Sequence, residues 1–87
     1  MPMPHYVYIL YSLSTNHYYI GSTSNLQDRI QRHNAGATLS TKKGQPWKIV
    51  YTETFASKTE ALKREIYLKK MKSRIFIEDL IRSKEVS

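Results

Sequence analysis

Residues 18–34, YYIGSTSNLQDRIQRHN, change periodicity in mid-stretch, and that change sets the fold class. Tyr18-Tyr19-Ile20-Gly21 is short, aromatic and β-branched, which reads as a strand. Ser24 follows, with Gln27 three residues on and Leu26 and Ile30 spaced by four. This pattern predicts a helix opened by a Ser24–Gln27 capping box, with Leu26 and Ile30 as its apolar stripe. Asn34-Ala35-Gly36 ends the helix, and Gly36 suits a left-handed C-terminal cap. Arg29 and His33 are four residues apart, so they stack on one side of the helix. They are expected to flank the apolar stripe by about 60–100°, at roughly 100° per residue. Such a pair fits a solvated basic face as well as one wall of a site.

Working outward, Tyr6-Val7-Tyr8-Ile9-Leu10-Tyr11 is apolar in both alternating sets, so it predicts a strand covered on both faces. Ser12 to Asn16 is polar turn material, and the two strands pair most simply as an antiparallel hairpin. Ala37 to Pro46 reads as a loop carrying Lys42 and Lys43. Trp47 to Phe55 is a third strand, in which Trp47, Ile49 and Tyr51 alternate onto one face. Ser57 and Glu60 form a second capping box, opening a helix whose buried face is expected to hold Ala61, Leu62, Ile66 and Leu68. Ser73 caps a last helix, with Ile75, Phe76, Ile77 and Leu80 turned inward. The expected architecture is α+β, a small three-stranded mixed or antiparallel sheet flanked by helices in the order ββαβαα.

At 87 residues the chain is expected to be one domain, residues 1–87. Its core would span about residues 5–72 and its C-terminal helix about 73–83. It contains no cysteine, which removes disulfides, thiolate metal sites and a cysteine nucleophile. The opening Met-Pro-Met-Pro-His has neither a basic n-region nor an apolar h-region, so no signal peptide is expected. No apolar run is long enough to span a membrane, and a cytoplasmic protein is expected. Fourteen Lys and Arg against seven Asp and Glu give a net charge of +7, which favours a polyanionic partner, most often nucleic acid.

Several chemistries find no support. There is no glycine-rich phosphate loop, and His5, His17 and His33 lack zinc-ligand spacing. No nucleophile elbow and no carboxylate cluster are present. What remains is a tyrosine-rich hairpin, the Arg29–His33 pair and Glu65. Tyr6 and Tyr8 share a face, whereas Tyr18 and Tyr19 point to opposite faces, so only one of the latter can join them. Glu65 lies at the edge of its helix's apolar face, amid Lys63, Arg64, Lys69 and Lys70. It fits a simple i, i+4 pair with Lys69, or a lone carboxylate for one hard divalent cation.

Tyr6-Val7-Tyr8 followed by Tyr19-Ile20-Gly21 resembles the two halves of the GIY-YIG nuclease motif. Arg29 and His33 match the family's arginine and its following histidine or tyrosine, and Glu65 matches its metal-binding glutamate. His33-Asn34-Ala35-Gly36 and Pro46 to Tyr51 look like the small single-domain bacterial branch, and also like the structure-selective resolvase subunit of eukaryotes. The sequence departs from the pattern at Tyr6, where glycine is usual. It also lacks the asparagine that several members carry after the glutamate helix.

The resemblance implies an endonuclease that hydrolyses phosphodiester bonds, with DNA the expected substrate and repair or recombination the setting. Tyr8, Tyr19, Arg29, His33 and Glu65 would converge on the sheet face. Tyr8 or Tyr19 would take a proton from water, with Arg29 or a metal-bound water lowering its pKa. His33 would relay or orient, and Arg29 would hold the scissile phosphate. Glu65 would hold one Mg²⁺ or Mn²⁺. Gly21 would let the strand end turn and the backbone approach closely. Lys42, Lys43, Lys69, Lys70, Lys72 and Arg74 would contact nucleic-acid phosphates without reading sequence, and a protein partner would supply targeting. The competing readings are a nucleic-acid-binding module with little turnover and a subunit active only within a complex.

Overall fold

The computed structural model describes residues 3–86, so residues 1, 2 and 87 of the expected domain lie outside it. The strands are β1 (His5–Ser12), β2 (Tyr18–Thr23) and β3 (Trp47–Phe55). The helices are α1 (Leu26–Asn34), α2 (Lys58–Met71) and α3 (Arg74–Val86), in the expected order ββαβαα. A short 3₁₀ helix, Leu39–Gly44, forms within the expected loop before β3. The sheet is antiparallel throughout, in the order β2-β1-β3.

β1 is the central strand, and its all-apolar character follows from cover on both faces. Val7 packs with Ala61 and Leu68 of α2, and Ile9 packs with Tyr51 and Ile77. Tyr8 and Leu10 point the other way, into a cluster with Trp47 and with Leu26 and Ile30 of α1. So α1 covers one face of the sheet, and α2 and α3 cover the other.

The expected single stripe on β3 is broken. Leu10 pairs with Ile49 while Ile9 pairs with Tyr51, so Val50 is an extra residue in the ladder. That bulge inverts the alternation. Trp47 and Ile49 face α1, whereas Tyr51 joins the opposite side with Ile9 and Ile77.

Three helix expectations also shift. The N-cap of α1 is Asn25, not Ser24: its side chain accepts from the Asp28 N–H at 3.0 Å. Thr23 Oγ1 accepts from the Asn25 N–H and holds the turn one residue later than expected. In α2 only Ala61 and Leu68 are buried; Leu62 and Ile66 are exposed, because the helix lays a narrow i, i+7 line on the sheet. In α3 Ile77 is buried and Phe76 and Leu80 pack beside it, but Ile75 is exposed. The Ser57 and Ser73 caps form as expected, accepting from the N–H groups of Glu60 and Phe76. Gly36 takes the left-handed conformation at φ 76°.

Candidate active site

Tyr8, Tyr19, Gly21, Arg29 and Glu65 line one pocket of about 510 Å³, with Ser22, Thr23 and Lys58 among its other walls. Tyr8 and Tyr19 come from neighbouring strands, with ring centroids 6.5 Å apart. Gly21 lies directly opposite Tyr8 in the β1–β2 register. It is inside β2, not at a turn, so its role differs from the one expected. A Cβ built there would lie 2.6 Å from Cζ of Tyr8, so the missing side chain is the space the ring occupies.

Glu65 arrives from the opposite side of the sheet. Its Oε1 accepts a 2.6 Å hydrogen bond from Ser22, which follows Gly21 in β2 and so faces the side of the sheet away from Tyr8. The site therefore sits at the C-terminal end of β2, where both sides of the sheet can be reached, and not on one face. Lys69 Nζ donates to Glu65 Oε2 at 2.6 Å, so the i, i+4 pair forms as well.

His33 does not line this pocket; it lies behind it. It is the buried residue of α1 at 1 % exposure, not a rim residue. Leu26 and His33 are seven residues apart, so they lie about 20° apart on the helix. His33 Nε2 is 3.1 Å from the Tyr8 hydroxyl, and Nδ1 is 2.7 Å from Thr41 Oγ1. Burial, reinforced by the nearby Arg29 charge, holds the His33 pKa below its usual value, so the imidazole is neutral near pH 7.

Burial likewise pushes the Tyr8 hydroxyl well above the ordinary tyrosine range. Tyr19 adds to that shift, Arg29 opposes it and Glu65 adds again. The help expected from Arg29 thus has the right sign but is outweighed by desolvation. The Arg29 side chain makes no hydrogen bond or ion pair among the described residues, and its Nε is buried with no acceptor.

The expected phosphate contacts divide. Lys69, Lys72 and Arg74 line a neighbouring cleft of about 430 Å³ that shares Tyr19 with the site. Arg74 is also structural: it donates to Asn16 O at 2.7 Å, lies over the Tyr18 ring and pairs with Glu78. Lys43 lines a third cleft, again with Tyr19. Lys42 and Lys70 are exposed and lie outside these clefts. Sequence reading missed Ser22 and Thr41, because a lone serine or threonine carries no spacing signal.

The residues fit a hydrated hard cation in exchange for the Lys69 ammonium on Glu65 Oε2. Glu65 is the acidic side chain of the pocket, beside the hydroxyls of Tyr8, Tyr19 and Ser22, with room for water ligands. Magnesium is commonly held by one carboxylate plus waters. No cluster of three or more acidic, His or Cys side chains suited to a metal exists among the described residues.

Fold and pocket together define a small α+β domain with an arginine side chain unpaired among the described residues. The GIY-YIG catalytic domain family model matches residues 4–76, and the chain belongs to that family. Within it, the relatives are UPF0213 proteins. One from Staphylococcus haemolyticus is 46% identical over 66 residues, covering 75% of this chain and 79% of its own length. YazA of Bacillus subtilis is 34% identical over 85 residues, covering 93% and 85%. The solution NMR structure of a UPF0213 protein from Bacillus halodurans has a TM-score of 0.57 at 37% identity, covering 94% of this chain and 86% of that one.

Proposed function

We propose that the protein is a metal-dependent endonuclease that hydrolyses phosphodiester bonds in nucleic acid, with DNA the favoured substrate and little sequence preference. The observation that carries this reading is Arg29. A guanidinium with a buried, unpaired Nε, in a pocket shared with two tyrosines and a carboxylate, is a site kept for an anion.

In this reading Arg29 grips the scissile phosphate and offsets its growing charge. The Tyr8 hydroxyl takes the proton of the attacking water while passing its own to Nε2 of neutral His33, 3.1 Å away. Such a relay never leaves a free tyrosinate, so the raised Tyr8 pKa is no obstacle. Tyr19 borders Tyr8 and the adjacent basic cleft, where it orients the substrate. Glu65, held by Ser22, would carry the Mg²⁺ or Mn²⁺ ion, which would supply Lewis-acid stabilisation of the leaving group. Lys43, Lys69 and Lys72 surround Tyr19 and would track the flanking backbone.

The test is cleavage of labelled single-stranded, duplex, flap and branched DNAs and one RNA, with Mg²⁺ or Mn²⁺. Wild type should cut, and Arg29→Ala and Glu65→Ala should not. Binding without cutting under every condition would replace this reading with that of a binding module.

A further inference from the structure

A chain of buried polar groups leads inward from the pocket. The Tyr8 hydroxyl, the His33 ring and the Thr41 hydroxyl follow one another at 3.1 and 2.7 Å. They come from three separate elements, β1, α1 and the 3₁₀ helix. All three are nearly sealed, at 3 %, 1 % and 1 % exposure. Thr41 Oγ1 donates onward to the carbonyl of Thr38, the N-cap of the 3₁₀ helix, at 3.3 Å. Buried polar groups need their donors and acceptors matched, so the protons along this chain can be assigned.

Two directions are conceivable. In one, Tyr8 donates to Nε2, Nδ1–H donates to Thr41 and Thr41 donates to the Thr38 carbonyl, so every proton has a protein acceptor. In the other, Thr41 donates to Nδ1 and Nε2–H donates to Tyr8. That leaves the Tyr8 proton with no protein acceptor among the described residues and dependent on pocket water, because His33 is the one protein hydrogen-bond partner of its hydroxyl there. The first direction satisfies the whole chain.

We infer that Thr41 is a positioning residue: it holds the proton of His33 on Nδ1, so that bare Nε2 faces the Tyr8 hydroxyl and can receive its proton. The inference rests on the hydrolytic reading for its purpose, but not for its test. Thr41 is not among the residues that line the pocket. It sits beside Lys42 and Lys43, so the element that fixes the imidazole also carries two exposed cations. The other groups facing the His33 ring are Tyr19, whose ring stands edge-on with its centroid 5.0 Å away, and Arg29 from the same helix. Neither is hydrogen-bonded to the ring among the described residues.

The experiment is a long-range ¹⁵N–¹H spectrum of the histidine rings in the labelled full chain, for wild type, Thr41→Val and Thr41→Ser, beside cleavage rates. In wild type, His33 should show Nδ1 protonated and Nε2 bare. Thr41→Val keeps the shape and removes the acceptor, so the tautomers should mix. Its kcat should fall by roughly 10–100-fold at unchanged KM, short of the ~10²–10⁴-fold expected from losing a general base. Thr41→Ser should restore both spectrum and rate. Nε2–H in wild type overturns the inference even if Thr41→Val fails to fold, and so does an unchanged tautomer in a folded Thr41→Val. The spectra are read without turnover. A correct tautomer in a protein that never cuts would therefore sink the hydrolytic reading and leave the role of Thr41 standing.

Discussion

The molecule holds two clusters built from the same three residue types, tyrosine, arginine and glutamate, and they behave oppositely. On the face of β3 covered by α2 and α3, Tyr51, Glu53 and Arg64 satisfy one another. Tyr51 donates to Glu53 Oε2 at 2.6 Å, and Arg64 donates through Nε and Nη2 at 2.9 and 3.0 Å. Burial alone would raise the Glu53 pKa, but the bonds from Arg64 and Tyr51 outweigh it and hold the carboxyl below its usual value. Tyr51 is pushed up to about 12 by burial and by its bond to Glu53. In the pocket, Tyr8, Arg29 and Glu65 are kept apart. Tyr8 bonds to His33, Glu65 bonds to Ser22 and Lys69, and Arg29 bonds to nothing described. Composition is equal and wiring is not. A closed triad stabilises a fold, whereas an open one retains unsatisfied donors that a ligand can use.

The sharpest way to break this comparison is Arg29. Arg29→Met should lower cleavage by roughly 10²–10³-fold, as expected for losing a charge that stabilises the transition state. It should also raise stability by about 1 kcal/mol in urea unfolding, since an unsatisfied buried donor is removed. A loss of stability would mean that Arg29 is a structural cation like Arg64. Gly21→Ala comes next. It drives a methyl into the Tyr8 ring, and overpacking of this kind costs about 1–3 kcal/mol. Cleavage should fall along with stability, because the ring that must move carries the proposed relay.

Arg64→Ala should do the reverse of Arg29→Met. It strips a half-buried carboxylate of two bonds, so stability should fall by about 1–2 kcal/mol while cleavage by the surviving folded fraction stays unchanged. The smallest effect separates the two regions by pH. The folded pKa of His33 is depressed, so its contribution to stability is complete above the unfolded value of about 6.5 and declines as pH falls below it. The folded pKa of Glu53 is also depressed, so its contribution is complete above the unfolded carboxylate value of about 4.3 and is lost only in more acid solution. Denaturant midpoints measured against pH should therefore show an early decline that vanishes in His33→Asn and a later one that vanishes in Glu53→Gln.

Much of the fold was legible in residue order. The doubly apolar β1, the hairpin, the Ser57 and Ser73 caps and the left-handed Gly36 all follow from patterns a few residues long. The same is true of the chain positions of Tyr8, Tyr19, Arg29 and Glu65, which the motif resemblance singled out and one pocket then gathered. What failed did so where a local rule met a distant partner. Trp47, Ile49 and Tyr51 alternate perfectly in sequence, yet the Val50 bulge against Ile9 and Leu10 sends Tyr51 to the other face. Leu62 and Ile66 are apolar at helical spacing, yet α2 meets the sheet only along the line from Ala61 to Leu68.

By itself, then, the sequence determined the elements and their order, because periodicity and capping act over one or two turns of chain, and its motif resemblance named the candidate site residues. Only the tertiary structure decided that Glu65 approaches around the end of β2, that His33 is sealed behind Tyr8, and that Arg29 is left without a partner while Arg64 is not. Those outcomes depend on side chains from β1, β2, α1, α2 and the 3₁₀ helix meeting in space, and no spacing within one element encodes such a meeting.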